Sequence, residues 1–193
     1  MTNEFVYSRD EHTKDGLAFR MRPANPADAE AVVANIQLVC AEHVYLYTDT
    51  FMLTDGWRQS WTCSTDEKNG RLLIVAQVKE EIVGHLRVFP EWYGPKGRHV
   101  GDVGVSITKP WRERGIGTAM LAYAFEWAER ARFQKLTASV IATNQRALNL
   151  FAKFDFAQEG RRARQFNILD KYVDEVLLGR FVNGYNQSAL FIT

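Results

Sequence analysis

Apolar residues recur along this chain at two alternating periods, two residues and about 3.6 residues, which predicts strands and helices in turn. The densest apolar runs lie at 72–78 and 82–89, and the polar Lys79, Glu80 and Glu81 between them predict a β-hairpin. In the strand predicted over 100–108, Val103, Val105 and Ile107 share one face while Asp102, Gly104 and Ser106 share the other, leaving that second face free for chemistry. Helical spacing appears at Val32, Ile36, Val39 and Cys40, behind Asn25 as an N-cap and Pro26 at the first helical position. An alanine-rich stretch over 117–132 predicts a helix packed closely on a sheet, and Ala147, Leu150, Phe151 and Phe154 give another apolar stripe. Trp57 and Trp61 predict a short helix within 51–65, and 19–22 and 136–142 read as strands. Residues 157–166 and 172–182 read as a closing hairpin with a long connection, and Gly94, Pro95 and Gly97 make 91–98 a loop. The pattern divides the chain into an N-terminal arm or added strand over 1–18, one α/β domain over 19–182 and a tail over 183–193.

One turn in this frame carries chemistry. Arg112-Glu113-Arg114-Gly115-Ile116-Gly117-Thr118 falls between the strand ending near Ile107 and the alanine-rich helix. Two glycines one residue apart let backbone approach a ligand closely, and the helix start offers amides and a positive dipole end to an anion. Arg112 and Arg114 add positive charge, and Thr118 adds a hydroxyl. A nucleotide-triphosphate loop is excluded because no lysine follows the glycines, and a dinucleotide loop because position 120 is Met.

Val105-Ser106-Ile107 followed by Arg112-x-x-Gly115-x-Gly117 resembles the acetyl-CoA motif of the GNAT acetyltransferases. A second block, Asn144-x-x-Ala147-x-x-x-Phe151 followed by Lys153-Phe154-Asp155-Phe156, resembles that family's later motif in the same order. The resemblance spans residues 19–181, opening with Phe19 through Asp28. The segment Asp170 to Val176 is similar to the branch that acetylates small amines, amino acids and ribosomal-protein termini. It implies a GNAT fold, a mixed sheet of about seven strands flanked by about four helices with a splay between the fourth and fifth strands. It also implies that acetyl-CoA is held by Val105, Ser106, Ile107, Arg112, Glu113, Arg114, Gly115, Ile116, Gly117, Thr118, Asn144, Ala147 and Phe151.

Composition narrows the partners. The formal net charge of +1 excludes the basic stripe expected of a nucleic-acid or membrane-surface binder. Arg161, Arg162 and Arg164 read as a solvated strand face. Two isolated cysteines offer neither a disulfide framework nor a metal site, and no signal peptide or membrane span is visible, so a cytoplasmic protein without a metal is expected. A homodimer stays open.

The resemblance implies direct attack of an acceptor amine on the thioester, with a backbone N–H near Val105 to Ile107 stabilising the oxyanion. The amine must lose a proton first, and Asp102 is the first candidate base, with His85 and His99 as alternatives. The chain departs from the family at four positions. Ser139 stands where ribosomal-protein acetyltransferases often carry glutamate, and Phe151 where a tyrosine usually protonates the departing thiolate. Glu113 and Asp155 stand where glycine is frequent. Phe151 has no proton to give, although a thiol with a pKa of about 8.5 leaves without one. Acceptor contacts are expected among Tyr45, Tyr47, Trp57, Trp92, Tyr93, Tyr172, Glu42 and Glu91. Three functions follow: an N-acetyltransferase for a small amine or amino acid, a ribosomal-protein-type N-terminal acetyltransferase, and an acetyl-CoA-binding protein without turnover.

Overall fold

The run Leu72–Val78 is apolar at nearly every position because it is covered on both faces, and the rest of the architecture follows from it. In the computed structural model, which describes residues 7–52, 54, 65–91 and 94–182, Leu72, Ile74 and Ala76 join the larger core cluster, while Leu73 and Val75 join a smaller one. Strand alternation thus divides one apolar segment between two helical layers.

The sheet has eight strands: β1 Arg9–His12, β2 Ala18–Pro23, β3 Leu72–Val78, β4 Glu81–Pro90, β5 Val100–Ile107, β6 Lys135–Ile141, β7 Ala157–Ile168 and β8 Lys171–Phe181. Their order is β1-β2-β3-β4-β5-β6-β8-β7, and every pairing is antiparallel except β5 with β6. The strand beyond the seven implied by the resemblance is β1, built from residues of the polar arm. Three α-helices lie among the described residues: α1 Ala29–Cys40, α2 Ile116–Arg130 and α3 Gln145–Ala152. The helix expected within 51–65 lies mostly outside them, as do Trp57, Trp61, Trp92, Tyr93 and the tail. Helix α1 packs against β4 and β5, and α2 packs against β3, β4 and β5. The α2 side holds the large buried residues Met120, Leu121, Tyr123 and Trp127.

The entry to α1 is built as its sequence suggests. A 3-10 turn, Pro26–Asp28, precedes it, with the Asn25 side chain accepting from the Ala27 amide and Asp28 accepting from the Asn25 amide. Burial opposes the charge on Asp28, but the two-pronged Arg22 contact at 2.6 and 2.8 Å and the Asn25 amide hold its carboxyl below the ordinary value.

The closing hairpin differs from the sequence expectation. β7 and β8 are joined by Leu169 and Asp170 alone, at φ of 49° and 60°, a tight turn with both central residues left-handed. The long connection was suggested because β7 is exposed along most of its length and irregular in register, so it carries no apolar alternation.

Candidate active site

β5 and β6 pair only at Val100↔Lys135, Gly101↔Leu136 and Asp102↔Thr137. Beyond that point β5 remains paired to β4 as far as Ile107, and β6 to β8 as far as Ile141, so the two parallel strands part. This splay lies between the fourth and fifth strands when β1 is left out of the count. From Val103 onward the β5 edge that faces β6 has no strand partner, which leaves backbone groups for another occupant.

A cavity of about 290 Å³ lies against this edge. Val105 and Ile107 line it from β5, and Arg112, Glu113, Gly115, Gly117 and Thr118 from the turn and the start of α2. Arg146, Ala147, Asn149, Leu150 and Lys153 line it from α3, and Lys14 closes it from the β1–β2 turn. Glycine has a physical reason at two positions. Gly115 caps α2 at φ 96°, and a Cβ on Gly117 would stand 3.2 Å from Ile107 Cδ1 and 3.3 Å from Leu150 Cδ2. Glu113 at φ 64° and Asp155 at φ 54° both occupy the left-handed region, which is why glycine suits those positions.

The cationic residues of the turn are largely committed elsewhere. Arg112 donates through Nε to Ile107 O at 2.8 Å and through both Nη atoms to the Glu42 carboxylate at 2.8 and 2.5 Å. Its guanidinium also lies 4.7 Å over the Tyr45 ring. Arg112 prevails over partial burial and holds the Glu42 carboxyl below its ordinary value. Arg114 pairs with Asp15 at 3.2 Å and lies over Trp111.

The remaining predicted residues fall into two groups. Ser106 and Asn144 line a second, smaller cavity of about 80 Å³ that shares Val105, Ile107, Arg112 and Arg146 with the first. The Asn144 Oδ1 caps α3 by accepting from the Ala147 amide at 3.1 Å. Ile116 and Phe151 are buried in the core, and Phe151 packs edge-on to Phe156 at 4.9 Å, so neither lines these two cavities.

On the α1 side of the splay, the loop over 41–50 carries the other half of the site. Tyr47 donates to Ser139 O at 2.5 Å and stacks on Phe166 at 5.0 Å. The residue as a whole is exposed, yet burial of the hydroxyl among its neighbours, assisted by Glu175 and Asp102, pushes it up to about 12. The Ser139 hydroxyl donates to buried Glu175, whose other oxygen accepts from Arg162 at 2.7 Å. A third cavity, of about 250 Å³, lies beside Tyr47 and is lined by His43, Leu46, Asp49, Ile141 and residues 165–169. Shared Leu46 links it to the second cavity, so the three adjoin in series across the splay.

Asp102, the last β5 residue paired to β6, lies 2.5 Å from Arg87 Nη1. His85 is buried beneath α1 with Nδ1 3.2 Å from Asn35 Oδ1. Burial, and then the Arg87 charge, push its imidazole down to about 4, so it is neutral near pH 7. Glu91 accepts from the Thr137 hydroxyl at 2.7 Å, and Tyr172 is exposed at the hairpin end.

Arg146 and Asn149 were missed in the sequence, and Leu150 and Lys153 were read only as a stripe and a motif position, although the spacing of three, four and seven places all four on one helical face. Glu175 was legible only as an acid within an apolar strand. Lys14 carried no signal.

The fold and the splay define an acyltransferase class, and the comparison with known families agrees. Residues 33–156 match the model of the acetyltransferase (GNAT) family, and the chain belongs to that family. It is similar to L-amino acid N-acetyltransferase AaaT of Escherichia coli (strain K12), 24% identical over 136 residues, covering 70% of this chain and 83% of the relative. YwnH of Bacillus subtilis (strain 168), named as a candidate phosphinothricin acetyltransferase, is 29% identical over 161 residues, 83% of this chain and 97% of YwnH. The crystal structure of a phosphinothricin acetyltransferase from Sinorhizobium meliloti in complex with acetyl-CoA superposes with a TM-score of 0.76 at 16% identity, covering 84% of this chain and 87% of that one.

Proposed function

We propose that this protein transfers an acetyl group from acetyl-CoA to the primary amine of an amino acid or a similarly small molecule. The observation that carries this reading is the series of three cavities across the splay, with a glycine-built turn at one end and a side-chain-lined cavity at the other. The first cavity fits an extended thioester. It offers the free β5 edge to a chain of amides and the α2 start to phosphates. Val105, Ile107, the turn over 112–118 and α3 are the residues that hold it in this reading. When bound, acetyl-CoA supplies an activated acetyl group, and the work left to the protein is positioning and removal of one proton from the acceptor.

Asp102 is the proposed base, acting through water. It stands where β5 and β6 part, on the same face as Ser106, and its charge is felt by the Tyr47 hydroxyl across the splay. Phe151 contributes packing rather than a proton, and the thiol leaves unaided. A third cavity of about 250 Å³ is near the lower end for small-ligand sites, which favours a free amino acid or amine over a protein terminus. Its mixed lining, with Asp49 and His43 together with Leu46, Ile141 and Phe166, suits an acceptor with a charged end and an apolar body.

The test is thiol release from acetyl-CoA across amino acids, phosphinothricin-like analogues, simple amines and N-terminal peptides. Turnover of free amino acids or small analogues is the expected result. Turnover of peptides alone overturns the acceptor assignment, and coenzyme A binding without turnover of any acceptor overturns catalysis.

A further inference from the structure

The N-terminal hairpin adds a wall to the donor cavity that neither family motif contains. β1 and β2 pair from Arg9↔Met21 to His12↔Ala18, and their turn is closed by the Gly16 amide donating to Thr13 O and the Thr13 amide donating to Leu17 O, both at 2.9 Å. This turn is fastened to the glycine turn at two points. The Lys14 amide donates to Arg114 O at 2.9 Å, and Asp15 pairs with the Arg114 guanidinium at 3.2 Å. The Lys14 side chain lies beside Gly115, with its Cγ 3.6 Å from where a Cβ there would stand, and it lines the cavity.

The cations around this cavity are unequal. Arg112 is closed by Glu42, and Arg146 is divided between the Tyr45 hydroxyl at 3.1 Å and Glu113 at 3.7 Å. Lys14 and Lys153 have no ion pair with any described residue. Two lysines without an ion pair therefore line one groove, one from the hairpin and one from the end of α3. A ligand with more charge than the α2 amides can satisfy has these two groups left to meet it.

We infer that Lys14 is a donor-binding residue: the N-terminal hairpin is a clamp that brings its ammonium, with Lys153, to the phosphate portion of the acyl donor. Asp15 and the Lys14 backbone set the position of the hairpin turn, and the Lys14 charge does the binding. The inference rests on the donor being a coenzyme A thioester, as proposed above.

Titration calorimetry with coenzyme A at low and high ionic strength tests it on wild type and on Lys14→Ala, Lys14→Glu and Lys14→Arg, with melting curves as the folding check. Lys14→Ala is expected to weaken binding about fivefold at low salt and Lys14→Glu about tenfold or more. Both differences shrink at high salt, and Lys14→Arg keeps most of the affinity. Equal affinity in all four proteins overturns the assignment. So does a loss that is the same at both ionic strengths and is not recovered by arginine, because that marks a packing role. Wild-type protein that binds no coenzyme A overturns both this inference and the donor reading beneath it, whereas tight wild-type binding with unaffected variants removes the Lys14 role alone.

Discussion

The two walls of the splay are made of different material. The wall proposed for the donor, from Arg112 to Thr118 and along β5, is mainly backbone: left-handed turn residues, a glycine-capped helix start and an unpaired strand edge. The wall proposed for the acceptor is side chain: Tyr45 and Tyr47 from one loop, Ser139 and Glu175 from adjacent strands, and Phe166 from the exposed β7. Backbone amides recognise any ligand with the same phosphates, whereas a wall of aromatic rings and ion pairs changes with every substitution. A donor read mainly by backbone and an acceptor preference set by side chains can therefore share one cleft.

The contrast is broken most severely at Gly117. An aspartate there crowds Ile107 and Leu150 and puts an anion at the helix start, so coenzyme A affinity is expected to fall on the order of a hundredfold or more by calorimetry. Asp102→Asn tests the opposite wall: kcat should drop about a hundredfold while the coenzyme A Kd is unchanged, and an unchanged kcat removes Asp102 as the base. Glu42→Gln loosens the clasp by which Arg112 holds the acceptor loop. An increase of about tenfold in acceptor KM, exceeding any change in coenzyme A affinity, is expected from steady-state kinetics.

Smaller effects sharpen the same division. Glu113→Gly relieves a left-handed backbone and should raise stability by about 1 kcal/mol, read as a higher Tm. His85 lies beneath the acceptor face with its pKa depressed, so the unfolded chain takes up its proton first as pH falls. Its contribution to stability is full above about pH 6.5, is lost as pH falls toward about 4 and is level below that. Between pH 7 and 6 the loss is under about 1 kcal/mol, and His85→Gln should flatten this slope in denaturant titrations.

Much of the fold was legible because its signals are local. Apolar β3, the capping box at Asn25 and Asp28, and the alanine-rich α2 can each be read within a few residues. β7 was read two residues short and its tight turn to β8 as a long connection, because an exposed strand next to one partner needs no apolar alternation. On the donor side the turn was readable and its cations were not: Arg112 looked like a phosphate ligand by spacing, yet its guanidinium is held by a carboxylate seventy residues earlier in the chain. Phe151 was legible both as a motif position and as a core residue, and its ring is packed in the core.

Glycines, caps and strand periods are properties of neighbouring residues, so the acyl-donor turn and the family were already determined by the order of amino acids. Lys14 against Gly115, Arg112 against Glu42 and Tyr47 against Ser139 join segments far apart in sequence. Such contacts depend on how strands register and where loops cross the splay. Packing of the whole sheet decides those positions, so the walls of the cavity proposed for the acceptor and the contact of the N-terminal hairpin emerge only in the tertiary structure.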